Sequence, residues 1–437
     1  IYQGDVGLHV AKTMYGLKTL MQRDNMSFDD LKERELTQRI EYLGEAYMLG
    51  FNQYDDVKDE NAIREIRDIN SYIFSLYIPS IEQKESFKAF EEVGMKDWYF
   101  DGRDWCMEYF ERIYKRTGTK FDNYYLEGEM SEMGLKMVLD NTKPNGEKIF
   151  EKDSDGSIIY RGDESRGLHT RVFVNKEGLP TYEAKELALA FKKFEDIKFD
   201  ESIIITADEQ IGYFKVVLDA LSQIAPEIAN ATKHLPHGMI KLPGAEKMSS
   251  RKGKIVGGEW LLDETNKRVV DLMRDSGKWD ESNINEVSDK IALAAVKYAF
   301  LKVSIGKDIV FDFDKSINFE GDTGPYLLYV YTRCMSILES KDINSSVNGN
   351  AQNAYVESLL RTVVRYRSAL LSSALSYSPN ILCSYLFDLG QAFNSFYQNV
   401  RVLDSEDREF LLALVNSVAK ITKHGLNTLG IEVVEKM

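Results

Sequence analysis

The sequence predicts an α/β domain followed by an all-helical one, and three stretches carry that prediction. Ser202-Ile203-Ile204-Ile205-Thr206-Ala207 is a short apolar run of the kind that fills a buried parallel strand, and a helix through Val217, Leu218 and Leu221 follows it. Thr170 to Ala188 reads as a strand, a Gly-Pro turn at Gly178 to Pro180, and a helix opened by Thr181. Past Gly258 the pattern is almost wholly helical.

Bulk properties bound the reading. At 437 residues the chain is too long for one ordinary core, so two or three domains are expected. A hydrophobic fraction of 43% against 29% charged residues is the balance of a soluble, folded protein. No apolar run approaches bilayer length and there is no signal-peptide-like start, so no membrane association is expected. The formal net charge of -15 argues against broad, non-specific nucleic-acid binding, but not against a partner touching local basic patches. Cys106, Cys334 and Cys383 lie far apart with no CxxC pair, as packed, reduced thiols of a cytosolic protein do.

In chain order, Ile1-Tyr2-Gln3-Gly4-Asp5-Val6-Gly7 reads as a strand running into a loop, and an upstream segment is expected to be absent. A helix then begins and carries on through Met14 and Leu17. The glycines suit either a close backbone approach to a ligand or a plain strand-to-helix turn. From Ser27 to about Ser80 the pattern is amphipathic and helical, with Ile40, Leu43, Ala46 and Tyr47 at three- and four-residue steps. A second helical stretch, Trp105 to Lys115, leads into the β-prone run Phe121 to Tyr125. Asp153 to Gly156 is the expected turn of a hairpin between Ile149-Phe150 and Ile158-Ile159-Tyr160. Residues 27–165 therefore read as an α+β insertion between halves of a larger α/β domain.

Four groups of residues have chemistry to offer. Tyr182 and Glu186, four apart, share a helix face; a carboxylate beside a phenol clamps a guanidinium, and an exposed Glu near a packed Tyr fits the same spacing. Gln210 falls just past the carboxyl end of the Ser202–Ala207 strand, where ligands sit in open α/β sheets; a substrate-contacting amide and a capping or surface Gln fit equally. His234 and His237 form an H-x-x-H pair, but Pro236 breaks the helix that would align them, so no metal set is expected. Tyr326, Tyr329 and Arg333 recur at three- and four-residue steps on a helix beginning near Pro325, a pattern that either packs into a core or stacks unpaired bases.

The densest stretch is Glu246-Lys247-Met248-Ser249-Ser250-Arg251-Lys252-Gly253-Lys254, with four cations, two hydroxyls and a glycine in an acidic protein. Lysines flanking Ser donors on a short loop suit a polyphosphate whose charge grows in a transition state, and a solvated basic turn is the plainer alternative. The order K-M-S-S-R-K-G resembles the second signature of class I aminoacyl-tRNA synthetases, KMSxRKG. Four further segments resemble the arginyl-tRNA synthetases. Gly4-Asp5-Val6-Gly7 is similar to NYxGDxG, with Ile1 where Asn is usual. Gly178 to Glu186 is similar to GxPTYxxxD, with Glu186 for Asp. Asp208 to Phe214 is similar to DxxQxxHF, with Tyr213 for His. Glu320 to Arg333 is similar to EGxTGxYLQYAxAR.

The resemblance implies a Rossmann-type class I catalytic domain (1–26 and 166–265), incomplete at its N-terminus and interrupted by the 27–165 insertion. A helical linker (266–307) and an all-α anticodon-binding bundle (308–437) follow. It implies ATP, with Mg2+, as the nucleotide, and L-arginine and tRNA(Arg) as partners of a cytoplasmic monomer. Lys247, Ser249, Ser250 and Lys252 are then the catalytic loop. His237, Gly238 and Met239, with Lys247, meet ATP; Tyr182, Glu186 and Gln210 read arginine. Tyr326, Tyr329, Arg333, Asn394, Tyr397 and Met437 lie near tRNA bases. The first class I signature, H-x-G-H, does not occur in the sequence, and these 437 residues alone are expected to activate arginine poorly. A non-catalytic tRNA-binding paralogue is the alternative from another class. Another class I synthetase such as the cysteinyl type would need a zinc-binding set that three scattered cysteines do not supply.

Overall fold

Gly7, at φ 111°, turns the chain out of strand β1 (Tyr2–Gln3) into helix α1 (Leu8–Arg23), which buries Ala11, Met14, Leu17 and Leu20 at helical spacing. The computed structural model describes residues 1–142, 149–243, 257–277, 279–339, 353–435 and 437, which form two units, 1–235 and 236–437.

In the first unit α1 is crossed by α3 (Leu36–Phe51) after a short α2 (Phe28–Lys32), whose Ser27 and Asp30 cap each other's backbone. The crossing is close because two glycines face it. A Cβ on Gly16 would lie 1.9 Å from the Ala46 carbonyl oxygen, and one on Gly50 2.1 Å from that of Lys12. Beyond Phe51 the helix widens into a π-turn, Asn52–Val57. The extra residue swings Tyr54 and Asp55 onto α1, where Lys12 pairs with Asp55 at 2.5 Å and lies 4.6 Å from the Tyr54 ring centre. Helices α4 (Glu60–Ser75), α5 (Glu85–Glu92) and α6 (Met95–Arg116) complete this layer. Val6, Leu17, Leu20, Leu31, Ile69, Ile73 and Met95 belong to one apolar cluster. The expected boundary at 26/27 therefore divides no two cores; the helical part of the supposed insertion buries its apolar faces on α1.

Strand β2 (Tyr125–Leu126) pairs with β1 in parallel, Tyr2 opposite Tyr125 and Gln3 opposite Leu126. After α7 (Ser131–Asp140) come β3 (Glu151–Lys152), β4 (Ile158–Tyr160) and β5 (Arg171–Val174), an antiparallel sheet in the order β3-β4-β5. The expected hairpin is present, with its turn at Asp153–Gly156, and its first strand lies two residues later than Ile149. Helix α8 (Tyr182–Ile197), strand β6 (Ser202–Ala207), α9 (Ile211–Ile224), α10 (Pro226–Asn230) and β7 (Thr232–His237) follow. Phe150, Phe173, Leu187, Val217 and Leu221 fill the core between them. β6 has the predicted bounds but not the predicted burial: Ile203 is 41% and Ile205 68% exposed. Among the described residues β6 pairs only with β7, so one face of this two-stranded sheet meets α9 and the other is uncovered.

In the second unit, β8 (Ile240–Lys241) pairs in parallel with β9 (Ile309–Val310), and α11 (Gly258–Asp275) and α12 (Glu281–Leu301) stand between them in sequence. After a single turn, α13 (Phe313–Ser316), the chain continues as α14 (Gly324–Leu338), α15 (Ala354–Val364), α16 (Tyr366–Leu375), α17 (Pro379–Asn399) and α18 (Arg408–Thr428). Tyr298 of α12 shares a core with Leu327 and Val330 of α14, Leu389 and Phe393 of α17 and Val418 of α18. The expected linker is thus part of the bundle, and the boundary expected at 265/266 falls inside α11. No helix among the described residues is long and apolar enough to cross a membrane.

Candidate functional site

The parallel pairing of β1 and β2 delivers Asp5 and Glu127 to the same place, past the carboxyl ends of adjacent strands, where open α/β sheets hold their ligands. The Glu127 N–H donates to the Gln3 carbonyl at 2.9 Å, which fixes the exit of β2 against that of β1. Asp5 is fully engaged. Its carboxylate accepts the Gly128 N–H at 2.6 Å and the hydroxyls of Tyr77 and Tyr99 at 3.0 and 3.2 Å. It therefore staples the turn that carries Glu127.

Glu127 is only half engaged. One carboxylate oxygen lies 3.0 Å from the Lys185 ammonium, and both side chains are almost wholly buried, 2% and 3% exposed. The other, Oε2, is buried without a hydrogen-bond partner, and so is the Tyr2 hydroxyl. Burying such an acceptor unmet costs about 1–3 kcal/mol, which marks the spot where a donor is wanted. Burial raises the Glu127 carboxyl pKa, and the cation of Lys185 opposes that rise.

Helix α8 supplies the opposite wall. Thr181 anchors its start by donating to the Val172 carbonyl at 2.7 Å. Tyr182 is half exposed, its hydroxyl 3.3 Å from His9 Nδ1, and burial pushes that phenol up to about 12. Glu186, one turn on, is half-buried, and burial pushes its carboxyl up to about 7, with Lys193 opposing and Glu127 adding to the rise. The Tyr2 phenol faces Glu127, Glu186, Asp5 and Tyr182 together, and burial with those neighbours drives its pKa far up, so it stays a neutral donor or acceptor. Tyr213, buried, is raised by burial and then by Glu186. His9 is lowered by burial and by Lys185 and Lys12, which keeps its ring neutral near pH 7.

Two carboxylates and two phenols around an unmet acceptor suit a flat cation with several N–H donors. Tyr182 and Glu186 share a face of α8, and Glu127, Tyr2 and Lys185, which sequence reasoning passed over, are their electrostatic neighbours. Glu127 stands two residues past the β-prone run ending at Tyr125, a place that gains meaning only once β2 is paired with β1. Gln210 itself is exposed in a single 3-10 turn, Asp208–Gln210, and no hydrogen bond joins it to this cluster among the described residues.

In the second unit, His237 ends β7 and Gly238-Met239 lead into β8. Only glycine fits at 238, because a Cβ there would lie 2.1 Å from the Lys307 carbonyl oxygen. Met239 has both main-chain groups committed, its N–H to Asp308 at 2.9 Å and its carbonyl to the Ile309 N–H at 2.8 Å. Contact of a nucleotide with this stretch is left to His237, Gly238 and the Met239 side chain. Lys247, Ser249, Ser250 and Lys252 lie outside the described residues.

The predicted aromatic stripe on α14 divides in two. Tyr326, in the first turn, is only 7% exposed; it packs at the core edge against Phe387, and its hydroxyl accepts from Asn394 at 2.9 Å. It is unavailable for base stacking because α17 docks on that turn. Asn394 is likewise occupied, donating to Tyr326 and accepting from Arg333 at 3.4 Å. One turn further along, the Arg333 guanidinium lies 4.4 Å from the Tyr329 ring centre and 4.6 Å from that of Tyr397, and it donates to the Tyr329 hydroxyl. These three, with Arg401, Asp404 and Met437, line an open groove of about 640 Å³. Four of the six predicted base-contacting residues, Tyr329, Arg333, Tyr397 and Met437, thus meet in one place.

Comparison with known proteins gives the family. Residues 82–313, more than half of the chain, match the family model for the class I (R) tRNA synthetase catalytic domain, and residues 327–437 match the DALR anticodon-binding domain. An arginine–tRNA ligase of Flavobacterium psychrophilum is 30% identical over 351 residues, covering 78% of this chain and 56% of that protein. One of Bdellovibrio bacteriovorus is 28% identical over 444 residues, covering 100% of this chain and 72% of that protein. The chain therefore spans less than two thirds of the first of these relatives. The Thermus thermophilus arginyl-tRNA synthetase structure superposes with a TM-score of 0.73 at 22% identity, over 100% of this chain and 75% of that one, a likeness of fold. The match of both domains and the similarity to curated relatives lead to one assignment: the chain belongs to the class I arginyl-tRNA synthetase family.

Proposed function

We propose that this chain serves an enzyme, a cytoplasmic monomer, that activates L-arginine with ATP and passes the arginyl group to the 3′ end of tRNA(Arg), and that these 437 residues, which hold no H-x-G-H, activate arginine poorly by themselves. The observation that carries this reading is the buried Glu127 oxygen without a partner, with Glu186, Tyr2 and Tyr182 as its electrostatic neighbours at the strand ends, a set of groups suited to a guanidinium. In the first step the arginine carboxylate attacks the α-phosphate of ATP and pyrophosphate leaves. In the second, the terminal ribose hydroxyl of the tRNA attacks the mixed anhydride and AMP leaves. No side-chain nucleophile is required, so the protein acts by positioning and electrostatics. In this reading Lys247 and Lys252, with the hydroxyls of Ser249 and Ser250, steady the leaving pyrophosphate, and His237, Gly238 and Met239 lie against the adenine. Among the described residues no group of three His, Cys, Asp or Glu side chains is arranged to hold a metal ion. Mg2+ would arrive on the nucleotide, where it neutralises phosphate charge.

Calorimetric titration with arginine, lysine and citrulline tests the reading. Arginine is expected to bind at least about tenfold more tightly than either, because the lysine ammonium lacks the planar fork that meets a carboxylate with paired N–H donors and citrulline leaves the carboxylates facing a neutral group. Equal binding of all three would overturn it.

The groove on the bundle suits an unpaired base, since the Tyr329–Arg333–Tyr397 stack presents π faces and a cation at an open edge. Tyr397→Ala is expected to weaken tRNA(Arg) binding about fivefold, the value of roughly 1 kcal/mol for one stacked base. Filter binding measures this, and unchanged affinity would return Tyr397 to a packing role.

A further inference from the structure

We propose that Lys185 is a positioning residue, which grips one oxygen of Glu127 so that the other faces the arginine side chain. The inference rests on the arginine reading of the pocket and adds to it a residue that touches no substrate.

Lys185 and Glu186 are neighbours on α8, so their side chains leave the helix about 100° apart. Glu186 stays half-buried, whereas Lys185 is almost wholly buried, its ammonium 3.0 Å from Glu127 Oε1 and 4.7 Å from the centre of the Tyr182 ring. Phe74, its ring centre 5.2 Å away, is a third neighbour. A carboxylate free to rotate would offer either oxygen, or both, to an incoming cation. Held by Lys185, Glu127 offers Oε2 alone, the atom without a partner.

Stability does not account for the pair. Burial lowers the Lys185 ammonium and raises the Glu127 carboxyl, each towards its neutral form. A buried ion pair of this kind is commonly no better than an apolar substitute of the same size. What it supplies is direction. One fixed oxygen on Glu127 and a second carboxylate at Glu186 accept the two prongs of a planar cation. Lys185 also sets a positive charge among Asp5, Glu127 and Glu186, which opposes the upward push of burial on the Glu127 carboxyl.

Arginine titration of the 437-residue chain and its variants decides the matter. Lys185→Met is expected to raise the arginine Kd about tenfold, and Lys185→Arg to restore it to within about threefold, since a guanidinium can keep the Glu127 contact. Because Lys185 acts through Glu127, the double variant Glu127→Gln/Lys185→Met should bind no more weakly than Glu127→Gln alone. A structural role would lower thermal stability without that coupling. Wild-type affinity in Lys185→Met, or a further tenfold loss in the double variant, overturns the proposal while leaving the arginine pocket standing. Should Lys185→Met fail to fold, the double variant, with both buried charges gone, still reads the coupling. Absence of arginine binding by the wild-type chain overturns the pocket and this proposal together.

Discussion

Glu127→Gln is expected to weaken arginine binding about 10²-fold, the largest effect of any single substitution in the pocket, because it removes the charge from a fully buried charge-assisted contact worth roughly 3 kcal/mol. The amide keeps the shape of the side chain, so the loss measures charge rather than packing. It turns one acceptor oxygen into an N–H that faces either Lys185 or the guanidinium, and both of those are donors. Titration calorimetry reads the change directly. A Kd within threefold of wild type would mean that Oε2 meets no substrate.

The second expectation concerns pH. Glu186 is pushed up to about 7 in the empty pocket, chiefly by burial. A bound guanidinium favours the ionised form, so binding strengthens as the group loses its proton. Between pH 5.5 and 8 the ionised fraction of such a group rises about thirtyfold, and arginine affinity should rise with it. Glu186→Gln should flatten that profile. The stability linkage runs the other way. A carboxyl raised in the folded state keeps its proton after its unfolded counterpart has lost one, so its contribution to stability falls as pH rises from about 4.5 to 7 and is level above that. Glu186→Gln should therefore raise the melting temperature at pH 8 and leave it unchanged near pH 4. A pH-independent wild-type Kd would place Glu186 outside the binding site.

The shared face of Tyr182 and Glu186 on α8 was legible because helical periodicity is strict: residues four apart lie on one face wherever the helix goes. Glu127 was hidden because β1 and β2 are two residues long, too short for any period, and only their pairing shows that Asp5 and Glu127 meet. Tyr326 and Tyr329 look alike in sequence, one step apart on one helix. Their different fates are set by the docking of α17, a tertiary fact absent from local pattern. The reading of β6 failed for a related reason: an apolar run reports a strand, and whether both faces are covered depends on what pairs with it. The 26/27 and 265/266 boundaries failed because apolar spacing marks a helix face without naming the partner it packs on.

The stacking of Arg333 between the rings of Tyr329 and Tyr397 has a thermodynamic consequence. The guanidinium is already held between two phenols and tied to Asn394, so the proposed docking of a base there would freeze few of its torsions. The ordering entropy of the encounter then falls on the incoming loop. Loosening Arg333 by removing Asn394 would transfer part of that burden to the protein and slow capture without deleting a single contact to the base.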